Sequence, residues 1–449
     1  MIKRVALLFA LSLVFVNPYL RGDGNGYYAW LRSPLIDGDV EFGNEYLHAD
    51  PTFRAAFVDE AGRPTELMRT ATGKAENQWS SGPAVLWLPA FGLAHALAHM
   101  GFGVPDGFSP VYLWMVALST AVYGFLSVVL GADLARRMGQ ARWAVLAAVA
   151  VLLASPLPVY MYILPFHVHA LAAFSTALFV WWGFVRVTDW RPRHWAVWGL
   201  CGGLMLAVYY VQALFLVAAA WRVLTDRGAW RDRVAAGLAF AAGMLPFVAL
   251  HLISRYALYG SMFKTGYRDE FFWLSPRLLA TALSPEHGLF LWSPVIALAL
   301  AGLIALARRR SEARVMLAMW ALLFYVIASF QNWHGQSSFG NRFFLSLTVV
   351  FVPGVAVVLA WLHARRRAAP AVVVAALILW NAGFMFQWGL NIVPSRGPVN
   401  FAEVARNQVT IVPARFVSML GRYFRDRQGL TREVESGDIE ERERYRLRR

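Results

Sequence analysis

The chain has 449 residues, 58% of them hydrophobic, and a mean hydropathy of +0.47. Soluble domains are nearer roughly 45–50% apolar, whereas apolar runs recur here at about 17–25 residues, the length that crosses a bilayer as helix; a soluble globular domain is excluded. The net charge of +15 does not point to nucleic acid, because much of the arginine stands in short clusters between apolar runs, a topology signal.

The first 20 residues, MIKRVALLFALSLVFVNPYL, carry a basic head and an apolar stretch without a clear small-x-small cleavage site. They predict an uncleaved first span over 5–20. A long polar loop follows at 21–80. It holds ten of the 27 acidic residues: Asp23, Asp37, Asp39, Glu41, Glu45, Asp50, Asp59, Glu60, Glu66 and Glu76. Asp23 stands where the chain first meets water on leaving the bilayer.

Basic clusters predict the topology beyond this loop. They are Lys3/Arg4, Arg136/Arg137/Arg142, Arg186/Arg191/Arg193, Arg222/Arg227/Arg231/Arg233, Arg308/Arg309/Arg310/Arg314 and Arg365/Arg366/Arg367. All face the cytoplasm if two spans separate each cluster from the next. The later intervals fit, with spans near 142–158, 167–187, 194–210, 211–224, 234–253, 288–307, 315–330 and 343–363. The interval from Arg4 to Arg136 holds three runs, 5–20, 82–100 and 109–134. The run 82–100, with Pro83, Pro89, Trp87, His95 and His99, is therefore expected to lie in or dip into the outer interface. His95 and His99 share one helix face at i, i+4, a spacing that could bind a metal but is expected here to be an ordinary amphipathic face. A last run at 370–390 completes an all-α polytopic membrane protein of about eleven transmembrane helices. Its long outer first loop, 21–108, contains interfacial helices.

Residues 1–390 form one transmembrane domain in this reading, and 391–449 a charged C-terminal tail. The stretch 401–424 reads as a surface helix, and the end, ESGDIEERERYRLRR, as a solvated or disordered mixed-charge segment. Cys201 is the only cysteine and lies in an apolar run, so no intrachain disulfide forms.

The spans carry almost no acid or base in their middles, which argues against an ion pump. The outer segments are richer. GDGNGYYAWLRS places Asp23 before Tyr27 and Tyr28. YGSMFKTGYRDE supplies Lys264 and Arg268, SPEHGLFLWSP supplies Glu286 and His287, and QNWHGQSSFGNRFF supplies His334, Asn341 and Arg342. His167 and His169 sit at the outer end of a span. Acid, aromatic platforms and cations near one interface suit a phosphorylated lipid donor and a hydroxyl acceptor. The carboxylate takes the acceptor's proton, and the cations offset charge on the departing phosphate.

Three stretches, DGNGYYAWLRSPLIDGD, ENQWSSGPAVLWLPAF and WHGQSSFGNRFF with SPEHGLFLWSP, resemble the C-type membrane-embedded glycosyltransferases that use polyprenyl-phosphate sugars. That family includes the protein O-mannosyltransferases, the aminoarabinose transferase of lipid A, and bacterial galacturonosyl- and mannosyltransferases. The resemblance implies transfer of a sugar from a polyprenyl-phosphate carrier to a glycan, lipid or protein acceptor, on the periplasmic face of a bacterial inner membrane. It implies Asp23 as catalytic base and membrane lipids, not nucleic acid, as partners. Many members have two adjacent acids, whereas Gly24 follows Asp23 here, leaving Asp23 alone or paired with Asp37 or Asp39. Arg342, Lys264 and Arg268 are the phosphate candidates. Tyr27, Tyr28, Asp37, Asp39, Glu286, His287, His334 and Asn341 are the pocket candidates. The family divides on metal use, so a divalent metal stays open. A non-enzymatic lipid or glycan flippase is the alternative reading of the same spans.

Overall fold

The computed structural model describes residues 2–446. In chain order its helices are α1 (Ile2–Ser12), α2 (Asp23–Arg32), α3 (Gly43–Leu47), α4 (Pro51–Phe57), α5 (Gly82–Leu97), α6 (Pro110–Ala135), α7 (Ala144–Leu153), α8 (His169–Val185), α9 (Pro192–Val208), α10 (Val217–Thr225), α11 (Trp230–Tyr259), α12 (Leu278–Leu283), α13 (Leu289–Trp292), α14 (Pro294–Ala307), α15 (Ser311–Ser329), α16 (Thr348–Arg365), α17 (Ala369–Gly389), α18 (Phe401–Arg425) and α19 (Arg427–Arg446). Pairing among the described residues is confined to isolated bridges such as Val58 with Pro64. The protein is an all-α polytopic membrane protein, as the apolar runs predict.

Among the described residues, six helices are long and apolar enough to cross a membrane: Gly82–Phe102, Pro110–Gln140, Trp230–Tyr259, Ser311–Ser329, Arg342–Arg365 and Ala369–Gly389. Shorter apolar helices cover Val5–Phe15, Ala144–Leu153, His169–Val185, Tyr210–Thr225 and Pro294–Ala307. The chain folds as two compact units. One holds the chain up to Leu134, Tyr160–Arg268 and Ser346–Val349; the other holds Ala135–Val159, Asp269–Leu345 and the chain from Val350 on.

In the first unit, α9 and α11 meet backbone to backbone. A Cβ on Gly199 would lie 1.9 Å from the Phe240 carbonyl oxygen, and one on Gly243 would lie 2.0 Å from that of Ala196. Small residues at such crossings let membrane helices pack without a hydrophobic driving force. The polar loop folds onto this frame through α2, whose residues from Gly24 to Arg32 are all buried. Asp50 seats the start of α2. Its carboxylate accepts from the Gly22 amide at 2.9 Å and the Asn25 side chain at 3.0 Å, and it caps α4 by accepting from the Phe53 amide at 3.0 Å.

The contacts of α5 bear on the run placed at the interface. Length and composition would let Gly82–Phe102 cross. Yet the chain entering α5 is tied to α2 by Asn77 Nδ2 on the Gly26 carbonyl and by Trp30 Nε1 on the Trp79 carbonyl, both at 2.9 Å. The chain leaving α5 is tied to α2 as well, by Arg32 Nε on the Asp106 carbonyl at 2.8 Å and by the Tyr28 hydroxyl on the Gly107 carbonyl. A ten-residue helix is about 15 Å long, half of an apolar layer of about 30 Å. Both flanks of α5 thus attach to α2, while the helix itself is long and apolar enough to cross, which departs from the interfacial placement expected of 82–100.

α2 packs tightly enough to be tested. A Cβ on Gly26 would lie 1.9 Å from the Trp79 ring. Gly26→Ala is expected to push Trp79 from its seat and cost about 1–3 kcal/mol, as overpacking does. A lowered thermal midpoint in detergent checks this, and an unchanged midpoint would contradict it.

In the second unit, α14 and α16 pack through Gly302 and Gly354. A Cβ on Gly354 would lie 2.0 Å from the Ala299 carbonyl oxygen. The C-terminal segment departs from expectation. The expected surface helix at 401–424 is α18, capped by Asn400, whose side chain accepts from the Ala402 and Glu403 amides. The mixed-charge end, read as solvated or disordered, instead forms most of α19; its residues 447–449 lie outside the described residues. Glu441 fixes it to the 391–396 segment, accepting from the Ser395 amide at 3.0 Å, its hydroxyl at 2.8 Å and the Arg396 amide at 3.0 Å. Close Glu/Arg spacing, as between Glu440 and Arg444, i and i+4, lets such a sequence propagate as helix.

Candidate active site

Asp23 is the first residue of α2, just after Gly22, whose φ is +54°. The carboxylate is 34% exposed and lies 3.9 Å from Nδ1 of His167, which is nearly buried. His167 belongs to the segment leading into α8, with His169 at a ring distance of 6.4 Å and Tyr160 at 6.0 Å. Tyr267 approaches from the loop after α11. Its ring is partly exposed, but burial of its hydroxyl raises the pKa well above the ordinary range, and the charges of Tyr209, Tyr210 and Asp23 reinforce this. An accessible carboxylate beside an imidazole and a neutral phenol can accept a hydroxyl proton while those neighbours orient the incoming group.

The other acids of the loop are engaged in holding it together. Arg32 is ion-paired with Asp37 and with Glu45 at 2.7 Å, and lies over the Phe108 ring at 4.7 Å. Burial raises the Glu45 carboxyl to about 7 against the pull of Arg32. At Asp37 burial also raises the pKa, but hydrogen bonds from Asn44 and Arg32 outweigh it and the net direction is down. Asp39 accepts from the Ser33 hydroxyl at 2.7 Å and the Glu41 amide at 3.0 Å, closing a turn. Tyr28 is fully buried, with Phe166 edge-on at 5.5 Å. Tyr27 is buried against Trp79 at 6.4 Å. These contacts give Tyr28, Asp37 and Asp39 structural tasks; Asp23 keeps a partly exposed carboxylate beside His167.

Of the predicted cations in the first unit, Lys264 is exposed with Nζ 5.5 Å above the Tyr259 ring. Arg268 is engaged by Glu76 at 2.5 Å and by the Leu67 carbonyl at 2.7 Å. Burial raises the Glu76 pKa, and Arg268 and Lys264 oppose it.

Sequence reading missed Arg255. It is fully buried near the end of α11 and donates to the carbonyls of Asn77 at 2.9 Å, Trp79 at 2.7 Å and Thr265 at 3.3 Å. Its guanidinium lies 4.9 Å above Trp30 and 5.6 Å above Tyr259. It fastens the end of the polar loop and the 260–268 loop to one helix. A lone arginine inside the apolar stretch HLISRYALYG was the available signal, since charge at membrane depth is rare and has a purpose.

The second unit gathers the remaining candidates. His287 is buried at a φ of +58°, stacked on Trp292 at 4.5 Å. His334 lies 6.4 Å from it, with Nδ1 3.7 Å from the Glu286 carboxylate. Asn341 is buried and donates to the Trp333 carbonyl at 3.1 Å. Arg342 opens the 3-10 turn Arg342–Leu347 that leads into α16, its guanidinium 5.9 Å from the Phe343 ring. Arg396 joins this group, donating to the Ser337 hydroxyl at 3.2 Å. Nothing in its local sequence marked it, because only the fold of the 391–396 segment brings it here.

Burial lowers the His287 pKa from 6.5 to about 3, and the charges of His334, Arg342 and Arg396 add to the effect. The folded protein thus holds His287 neutral while the unfolded chain protonates it below 6.5. Stability is therefore lost as pH falls from 6.5 toward about 3, by up to about 1.4 kcal/mol per unit. His287→Asn, which tolerates the left-handed backbone, is expected to flatten this slope in thermal melts between pH 7 and 4.5; an equal slope would contradict it.

Among the described residues, no group of three or more His, Cys, Asp or Glu side chains could hold an ion.

No protein-family model matches the chain, and no curated protein is significantly similar to it in sequence. Solved structures do match. ArnT from Cupriavidus metallidurans in the apo state aligns with a TM-score of 0.52 at 15% identity, over 98% of this chain and 75% of its own. The same protein bound to undecaprenyl phosphate aligns with a TM-score of 0.51 at 15% identity, over the same shares. Over nearly its whole length, the chain therefore has the fold of ArnT, the membrane-embedded architecture expected from the glycosyltransferases that its sequence resembles.

Proposed function

We propose that the chain is an integral-membrane glycosyltransferase that moves a sugar from a polyprenyl-phosphate carrier to a hydroxyl acceptor on the outer face of a bacterial inner membrane. The observation that carries this reading is Asp23 at the exposed start of a buried helix, with His167 at 3.9 Å, in a fold that in ArnT accompanies binding of undecaprenyl phosphate. Asp23 takes the acceptor's proton as the hydroxyl oxygen attacks the anomeric carbon. The bond from that carbon to the phosphate oxygen breaks, its electrons leave with the phosphate, and the anomeric centre inverts. Lys264 is the cation proposed to offset charge on the leaving phosphate, and Arg342 of the second unit stays a phosphate candidate by itself. Arg268 takes a lesser part, because Glu76 already engages it. Tyr267 supplies exposed ring surface near Asp23, while Tyr27, buried against Trp79, supports α2 from within.

Mass spectrometry of envelope glycans and lipid-linked sugars from a deletion strain tests this function. One polyprenyl-phosphate sugar is expected to accumulate while one glycan, lipid or protein loses a single sugar. Unchanged pools of both would overturn the reading.

A further inference from the structure

We propose that His95 and His99 form a clamp for a divalent transition-metal ion, Zn²⁺ being the one that two imidazoles and water suit best. His95 stands in the last turn of α5 and is half-buried; His99 stands in the π turn Ala98–Phe102 that follows and is exposed. Their rings are nearly perpendicular, with centroids 4.5 Å apart. The Nε2 atoms face each other at 3.1 Å. One proton between two imidazole nitrogens holds that contact together, and this proton is what a metal ion replaces.

The distance is the main argument. Two Zn–N bonds of about 2.0–2.1 Å with their nitrogens 3.1 Å apart subtend an angle of about 95–100°. That is about 10° short of tetrahedral, a difference that a small rotation of the exposed His99 ring makes up.

The second argument is the partner behind the first ligand. Nδ1 of His95 lies 2.5 Å from the hydroxyl of Tyr112, itself fully buried on α6. With the Nδ1 proton donated to the phenol oxygen, Nε2 of His95 is left bare and pointing at the clamp. Metal-binding histidines commonly carry such a second hydrogen bond, which fixes the tautomer and the ring. On binding, the proton on Nε2 of His99 moves to its Nδ1, both ligands become neutral donors, and water fills the remaining positions. Imidazole ligands suit Zn²⁺, Cu²⁺ and Ni²⁺ rather than Mg²⁺ or Ca²⁺.

The position gives the ion a task. The helix widens into a π turn over Ala98–Phe102, and Gly101 there has a φ of +95°. The chain then runs to Asp106 and Gly107, whose carbonyls hold Arg32 and Tyr28 of α2. A metal across His95 and His99 stiffens the turn that seats the helix carrying Asp23. The clamp stands apart from the transfer chemistry, and it is read by metal binding alone.

The test uses the full chain in detergent, free of any polyhistidine tag, titrated with ZnCl₂ by calorimetry and with Cu²⁺ by electron paramagnetic resonance. One equivalent of Zn²⁺ is expected to bind, and the Cu²⁺ spectrum to show two imidazole nitrogens. His99→Gln, at an exposed position where folding is not at risk, is expected to weaken Zn²⁺ binding at least tenfold and to leave a single-nitrogen Cu²⁺ signal. Tyr112→Phe is expected to weaken binding about tenfold with both nitrogens retained, the range of outer-shell changes. Zn²⁺ affinity within threefold of wild type in the double variant H95Q/H99Q would overturn the proposal, as would no binding to the wild-type chain.

Discussion

Asp23→Asn is expected to reduce sugar transfer by about 10²–10⁴-fold, the usual contribution of a positioned general base, while leaving the thermal midpoint unchanged. The change keeps the size and shape of the side chain and removes only its capacity to accept a proton. The start of α2 is seated by Asp50, whose carboxylate accepts from the Gly22 amide and the Asn25 side chain. That division of labour supplies the control. Asp50→Asn weakens the bonds to Gly22, Asn25 and Phe53 together, with a cost of about 1–3 kcal/mol, since hydrogen bonds to charged groups are the stronger kind. Asp50→Asn thus lowers stability and activity together, whereas Asp23→Asn lowers activity alone. Transfer by membranes supplied with a labelled lipid-linked sugar, measured beside a melting curve, separates the two. Near-wild-type turnover by Asp23→Asn would remove it as the base.

The largest effect on stability is expected at Arg255. Arg255→Ala leaves the Asn77 carbonyl without its buried donor, leaves the Trp79 carbonyl with Trp30 Nε1 alone and strips a cation from the Trp30 and Tyr259 rings. An orphaned acceptor costs about 1–3 kcal/mol and a desolvated cation–π contact up to about 2 kcal/mol, so the total reaches roughly 2–5 kcal/mol, a large part of a domain's margin. Arg255→Lys keeps the charge but not the planar fork that serves several carbonyls at once. It is therefore expected to fall between wild type and alanine. Thermal unfolding in detergent ranks the three, and equal midpoints for arginine and alanine would show that the guanidinium carries no structural load.

The sequence announces the frame well and the site only in part. Apolar runs such as 315–330 and 370–390 reappear as α15 and α17 because bilayer thickness imposes their length. The acid cluster of the first loop is legible as a group, but the role of each member is not. Asp23, Asp37 and Asp39 have similar local surroundings in the sequence, and only tertiary pairing gives Asp37 to Arg32 and leaves Asp23 beside His167. Tyr28 reads as a pocket aromatic beside Tyr27 until the 103–109 segment folds back to accept its hydroxyl. Arg396 and Glu441 are 45 residues apart, and no local pattern links them. The charged end was misread because composition suggested solvation, while helical spacing and the anchoring of Glu441 to Ser395 order it.

The most direct measurement places the purified chain in liposomes that contain a polyprenyl-phosphate sugar labelled in both lipid and sugar, with a hydroxyl acceptor supplied outside. Release of one polyprenyl phosphate for each sugar joined to acceptor, lost in Asp23→Asn, is the predicted result. Movement of the intact lipid-linked sugar across the bilayer, with no glycosidic bond broken, would contradict the account.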